Sequence, residues 1–253
     1  MKVICIANQK GGIAKTTTAT TLASILMSQQ KKVLLIDADA QGNSTDTYRA
    51  ISKEVPTLYD VLLDFDDPLP IMEAIQRTEI GDIVASDPAL KVADSKMPND
   101  GNEYFRLKDA LEPLTGYDYV IIDTAPADNK LLKNCLIASD EVIIPVTADR
   151  YSIQGLSELN KTITNIKKRN NPSLEIAGLL LVKYKSRQVL AQEVKSSLGD
   201  IAKLLNTKVF STTIRECIAV QKAQATRTTL MNYDAKCTAA VDYMQFADEL
   251  IKG

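Results

Sequence analysis

Six side chains concentrate the chemistry that this sequence could perform: Lys10, Lys15, Thr16, Asp37, Asp39 and Asp123. The first three lie in Asn8-Gln9-Lys10-Gly11-Gly12-Ile13-Ala14-Lys15-Thr16-Thr17. An apolar, β-branched run precedes this stretch and a helix-like run follows it. A strand, a glycine turn and Lys-Thr opening a helix make a phosphate cradle. Backbone N–H groups at the helix N-terminus point at the anion, and the helix dipole favours negative charge there. Lys15 would reach the β- and γ-phosphates, and the Thr16 hydroxyl would hold Mg²⁺.

The stretch departs from the usual G-x-x-x-x-G-K-[ST] pattern, which would place glycine at positions 9 and 14. Gln9 and Ala14 stand there instead. Both restrict positive φ, and the Ala14 methyl limits backbone approach to a phosphate. Lys10 is the second unusual feature, because one lysine suffices for a simple cradle.

The acids follow apolar runs. Val33-Leu34-Leu35-Ile36 leads into Asp37-Ala38-Asp39-Ala40-Gln41-Gly42-Asn43. Asp37 and Asp39 are expected to point to opposite sides of the chain, one facing the phosphates and the other held elsewhere. Tyr119-Val120-Ile121-Ile122 leads into Asp123-Thr124-Ala125-Pro126. A carboxylate ending a buried strand is the usual Mg²⁺-supporting acid of a nucleotide triphosphatase. Thr16 and Asp123 are therefore the candidate Mg²⁺ residues.

These residues need a scaffold that brings strand ends together. Short apolar runs recur at Val3–Ala7, Val33–Ile36, Ile83–Ala85, Tyr119–Ile122, Val142–Val146, Ile176–Val182 and Val209–Ile214. Helical stretches are expected at Thr16–Gln30, Phe105–Leu114, Ile153–Arg169, Val189–Leu205 and Ala235–Ile251. Continuous apolar strands suit a sheet covered on both faces. The alternation predicts an α/β fold: a doubly wound, mostly parallel sheet flanked by helices, with ligands beyond the carboxyl ends of the strands. Ser86–Glu103, rich in Asp, Asn, Pro and Gly, reads as a surface excursion. No linker divides the 253 residues, so one domain over 1–253 is expected.

Composition excludes several classes. The net charge of −2 argues against a globally basic nucleic-acid binder but leaves room for a local patch. No apolar run approaches the ~20 residues that span a bilayer, and no secretory signal pattern opens the chain. Cys5, Cys135, Cys217 and Cys237 form no CxxC pair, and no histidine is present to complete a zinc site. Isolated thiols fit a reducing cytoplasm. Without histidine, a histidine-dependent triad is excluded.

The chain resembles the ParA/Soj branch of the deviant phosphate-loop ATPases, a group that includes MinD and the nitrogenase iron protein. The resemblance rests on Lys10-Gly11-Gly12-Ile13-Ala14-Lys15-Thr16-Thr17, on Leu35-Ile36-Asp37-Ala38-Asp39-Ala40-Gln41-Gly42-Asn43, and on Tyr117-Asp118-Tyr119-Val120-Ile121-Ile122-Asp123. Weaker echoes run through Ile144-Pro145-Val146, Gln154-Gly155-Leu156 and Ile214-Arg215. Ala14 replaces a family glycine and Ala40 a family proline. Val182 to Arg187 departs from the family's pattern near the base.

The resemblance implies slow, partner-stimulated ATP hydrolysis with Mg²⁺. Lys10 matches the lysine that crosses to the nucleotide of the other subunit in an ATP-sandwich homodimer. Lys15 is the phosphate lysine, and Asp39 the acid that positions the attacking water. Asp37 supports the metal region, and Asp123 acts on Mg²⁺ through water. It also implies non-specific binding of double-stranded DNA by the ATP dimer, release on hydrolysis stimulated by a ParB-like centromere-binding protein, and a cytoplasmic, nucleoid-associated location. Candidate DNA contacts are Lys183, Lys185, Arg187, Arg215, Lys222 and Arg227. The chain begins at its first strand, so an N-terminal helix-turn-helix and operator-specific binding are not expected.

Other classes fit the sequence less well. A MinD-like membrane-positioning ATPase needs a basic amphipathic tail, whereas Val241–Ile251 is periodic and acidic. An iron–sulfur carrier needs paired cysteines, and Cys135 in its Leu/Ile-rich setting reads as core. A tyrosine kinase needs a terminal tyrosine cluster, which is absent. A nucleotide-binding scaffold with little turnover follows if Ala14 or Ala40 blocks hydrolysis.

Overall fold

Successive side chains along β1 (Lys2–Ile6) enter two different cores: Val3 and Cys5 join one, Ile4 and Ile6 the other. Both faces of the strand are therefore covered, which explains why its sequence is a continuous apolar run. The computed structural model describes residues 1–63, 68–184 and 198–252. The other strands are β2 (Val33–Ala38), β3 (Ile75–Arg77), β4 (Asp82–Val84), β5 (Tyr119–Thr124), β6 (Glu141–Thr147) and β7 (Glu175–Val182). They form one sheet in the order β3-β4-β2-β5-β1-β6-β7. Every pairing is parallel except β3 with β4. The expected doubly wound, mostly parallel sheet is observed.

Helices cover the two faces. The first core takes apolar side chains from α3 (Leu58–Leu63), α5 (Arg106–Leu111), α6 (Lys130–Ile137), α7 (Arg150–Arg169) and the described part of α8, residues 198–204. The second takes them from α1 (Lys15–Ser28), α9 (Ile218–Ala225), α10 (Leu230–Asp234) and α11 (Thr238–Lys252). Helix α11 buries Ala239, Tyr243, Phe246 and Ala247. Its apolar stripe is spent on the protein body, where Phe246 meets Phe210 edge-to-face at 4.9 Å. Among the described residues, no helix is long and apolar enough to cross a membrane.

One strand falls outside the expected runs and two expectations need correction. Strand β3 is an antiparallel edge of three residues, too short to show a period. Val209–Ile214 is not a continuous strand. It touches the sheet edge at two separate points, through the isolated bridges Leu179–Val209 and Tyr184–Arg215. Between them the Ser211 and Thr212 N–H groups donate to the Glu249 carboxylate of α11, at 2.7 and 3.0 Å. A side chain has taken donors that a ladder would need. Ser86–Glu103, too, is no mere surface excursion. A 3₁₀ turn (Pro88–Val92) and α4 (Ala93–Lys96) fold there, and Leu90, Ala93 and Met97 are buried in the first core. The predicted helix Val189–Leu205 lies mostly outside the described residues.

Candidate functional site

Strands β2, β5 and β1 are consecutive neighbours, so their carboxyl ends form one ledge. The register sets Asp37 beside Asp123, and Asp123 beside Ile6 at the entry to the glycine loop. Over this ledge lies a cleft of about 600 Å³, lined by residues 11–17, Asp39, Pro126 and a far wall from residues 214–224.

The loop folds as an anion cradle. Gly12 has φ 71° and Ala14 has φ 61°, both left-handed. An alanine in that conformation costs about 1–2 kcal/mol. Ala14 is the residue immediately before α1, and it turns the chain so that the first amides of α1 face the cleft. Buried Asn8 holds the loop from below: its Oδ1 accepts from the Lys10 amide at 3.0 Å, and its Nδ2 donates to the Pro145 carbonyl at 2.9 Å. Lys15 is 6% exposed, and its Nζ donates to the Lys10 carbonyl at 3.0 Å. Burial lowers its affinity for the proton, while Asp123 and Asp39 pull it back up. Its ammonium therefore stands beside the acids, within the curl of the loop.

The loop after β2 carries the second set. In an extended strand residues i and i+2 share a face, so alternation does not separate Asp37 from Asp39. The separation arises because β2 ends at Ala38 and the chain turns. Asp37 is fully buried beneath the cleft. Its carboxylate accepts from the Thr45 amide at 2.7 Å, the Thr45 hydroxyl at 2.8 Å and the Asp39 amide at 3.2 Å. Asp37 thus anchors the turn that presents Asp39 and lies beside Asp123 in the register. Asp39 lines the cleft, its Oδ1 accepting from the Gln41 amide at 2.9 Å.

Asp123 is the third strand end. Its Oδ2 accepts from the Ser44 hydroxyl at 2.8 Å, while its fully buried Oδ1 has no hydrogen-bond partner. Burial pushes its carboxyl up, against the nearby Thr16 and Ser44 hydroxyls and the charge of Lys15. Asp37 is pushed up too, by burial and by Asp123. An orphaned carboxylate oxygen beside the Thr16 hydroxyl is the donor set that hydrated Mg²⁺ takes. The residues present fit that ion.

Lys10 leaves the cradle sideways. Its Nζ lies 2.7 and 2.8 Å from the two carboxylate oxygens of Asp149, just past β6, and Asp149 also accepts from the Thr147 hydroxyl. Lys10 is held here by an acid of its own chain.

Homology fixes the family. A family profile described as an AAA domain, AAA_31, matches residues 1–176. The chromosome partitioning protein ParA of Myxococcus xanthus is 35% identical over 99% of this chain and 88% of its own length. The chain belongs to the ParA family of partition ATPases. The sporulation initiation inhibitor protein Soj of Bacillus subtilis is 34% identical, over 98% of each chain. Among solved structures, cobyrinic acid a,c-diamide synthase from Mycobacterium smegmatis, with bound ATP analog and magnesium, matches with a TM-score of 0.84 at 29% identity. That match covers 100% of this chain and 95% of the other.

The cations expected to meet DNA do not share one surface setting in this ParA-family chain. Lys183, with φ 53°, donates to the Gly12 carbonyl at 2.7 Å and lines the cleft. Arg215 also lines the cleft, its Nε and Nη2 on the Asp242 carboxylate at 2.9 and 2.6 Å. Arg227 pairs with Asp46 at 2.7 Å. Lys222 is exposed on α9. Lys185 and Arg187 lie outside the described residues. Sequence reasoning missed Asn8, Ser44, Thr45, Asp149 and Asp242. Asn8 opens the named loop stretch and Ser44 and Thr45 directly follow Asn43, so all three were within its reach. Asp149 and Asp242 are single acids with no pattern around them.

Proposed function

We propose that this chain is a Mg²⁺-dependent ATPase that drives DNA partition through an ATP-bound homodimer. The observation that carries this reading is that Lys15, Thr16 and Asp39 line one cleft while buried Asp123 lies close beside Lys15 and Thr16 at the end of β5. Phosphoryl transfer asks for in-line positioning and charge stabilisation more than covalent chemistry. The amides opening α1 and the Lys15 ammonium bind the β- and γ-phosphate oxygens. Asp39 orients the attacking water from the opposite side. The Thr16 hydroxyl and the Asp123 carboxylate would hold Mg²⁺, which when bound would neutralise charge on the phosphate oxygens.

Lys10 completes the partner's site in this reading. To do so it exchanges Asp149 for phosphate oxygens across the dimer, so assembly and nucleotide state are linked. The dimer then binds duplex DNA without sequence preference through cations that include Lys222 and Arg227, with steep salt dependence. A ParB-like centromere-binding protein stimulates hydrolysis and releases the DNA. A membrane-positioning role has less support, because the apolar stripe of α11 is already buried.

Asp39→Ala tests the assignment. With Mg²⁺ and ATP the variant should accumulate as a dimer by light scattering, with turnover reduced on the order of 10²-fold. An Asp39→Ala protein that binds ATP yet stays monomeric would refute Asp39 as the water-positioning acid.

A further inference from the structure

Two of the four cysteines face each other at the rim of the cleft. Cys217 is the residue before α9, and its carbonyl accepts from the Val220 amide at 3.2 Å. Cys237 is the residue before α11, and its sulfur accepts from the Ala240 amide at 3.4 Å. Arg215, two residues before Cys217, bonds the Asp242 carboxylate and reaches the Thr238 carbonyl at 3.5 Å, which brings the two helix starts together, and each thiol lies close enough to shift the other's affinity for its proton. Both residues are partly exposed, and Cys217 lines the cleft. Cys5 and Cys135, by contrast, are fully buried.

The two thiols also differ chemically. Burial alone would push the Cys217 thiol up, but hydrogen bonds from Thr238, from the Ala219 and Ala239 amides and from Cys237 hold it below the ordinary thiol value. Burial pushes Cys237 up, with the Ala240 amide opposing and the Cys217 and Asp234 charges adding to it. Burial likewise pushes Cys135 up to about 12. A thiol whose ionisation is favoured at a helix start, beside one whose ionisation is disfavoured, makes an attacking and resolving pair.

We propose that Cys217 and Cys237 are a hydroperoxide-reactive dithiol that closes to a disulfide, and that nucleotide in the cleft shields it. The shielding rests on the function proposed above; the dithiol does not. The Cys217 thiolate attacks the terminal oxygen of a hydroperoxide. The S–O bond forms as the O–O bond breaks, and the departing alkoxide or hydroxide takes a proton. The Cys237 sulfur then attacks the Cys217 sulfenic sulfur, and its proton leaves with the hydroxyl as water. Two thiols lose two electrons, and the peroxide is reduced to alcohol (or water) and water.

The test uses the full chain, reduced and then treated with hydrogen peroxide. Thiols are counted by maleimide labelling and linkages mapped by non-reducing peptide mass spectrometry. Two of the four thiols should disappear as a Cys217–Cys237 link, with Cys5 and Cys135 retained. Cys217→Ser should abolish the loss. Cys237→Ser, checked for native circular dichroism, should stop at a sulfenic acid on Cys217 that a 1,3-dione probe captures. Saturating Mg·ATP should slow the reaction of the wild type on the order of tenfold or more, as mass action empties the open state. Loss of no thiol, or a link to any other cysteine, would overturn the dithiol. An unchanged rate under Mg·ATP whose binding is confirmed by a fluorescent analogue would overturn the shielding alone. Failure of the analogue to bind would remove both the shielding and the nucleotide reading, and leave the disulfide result standing.

Discussion

The two walls of the cleft are built on different principles. The phosphate wall is made from three adjacent strand ends and the loops that leave them directly. Its polar groups are buried and fixed by short hydrogen bonds, as Asp37 is by Thr45 and Asp39. The far wall comes from residues 182–183 and 214–224, and its geometry depends on helix α11 through Asp242 and Glu249. A triphosphate has one shape and demands a rigid, charged receptor. The other end of a ligand tolerates a wall that is assembled from distant segments and held by an ion pair whose arginine is half exposed.

The largest test of this contrast is Asp123→Asn. Two carboxylates, Asp37 and Asp123, sit side by side, fully buried. Burial and mutual repulsion disfavour their shared charge. Removing one charge should stabilise the nucleotide-free protein by about 1–2 kcal/mol at pH 8, read by thermal unfolding without Mg²⁺. The same change should weaken Mg·ATP binding on the order of 10²-fold, because the metal loses its buried anion. A variant that is both less stable and still Mg²⁺-responsive would show that Asp123 is a structural acid.

The counterpart on the far wall is Asp242→Asn. Asp242 is 5% exposed and receives the Arg215 guanidinium and amide. Weakening a charge-assisted hydrogen-bond pair should cost about 1–3 kcal/mol of stability. Nucleotide affinity should fall only a few-fold, measured by titration with a fluorescent analogue. A loss as large as that of Asp123→Asn would erase the distinction between the walls.

Ala14→Gly probes strain within the phosphate wall itself. Relieving a left-handed alanine should add about 1 kcal/mol, which for a chain of this size raises the unfolding midpoint by roughly 2–4 °C. A glycine that lowers the midpoint would mean that the Ala14 methyl makes contacts worth more than the strain.

The same contrast explains what the sequence disclosed. Lys10 to Thr17, Asp37 to Gly42 and Asp123 are each contiguous with a buried strand, so periodicity located them and the parallel sheet brought them together. The Ala14 departure was visible, but its left-handed φ was not, since glycine at Gly11 or Gly12 alone could have made the turn. The far wall left little trace. Asp149 pairs with Lys10 across 139 residues of chain and Arg215 pairs with Asp242 across 27, and no local spacing encodes either. Lys183 and Arg215 read as surface cations because a sequence does not show that a carbonyl or a carboxylate waits beside them. Ser211 and Thr212 read as strand for the same reason, with Glu249 hidden in a helix 37 residues on.

Glu249 supplies the smallest and most specific test. Burial would push its carboxyl up, but the Ser211 and Thr212 amides and hydroxyls outweigh this and hold it below the ordinary glutamate range. A depressed carboxylate contributes stability that is present above its unfolded pKa and is lost as pH falls through the folded one. Glu249→Gln should therefore be less stable than the wild type at pH 7 by a few tenths of a kcal/mol, discounted for its partial exposure. The gap should narrow from about pH 4.5 downward, followed by paired denaturant melts at stepped pH. A gap that persists at full size below that range would mean that Glu249 acts by packing, and that the break in the sheet edge at Ser211 owes nothing to its charge.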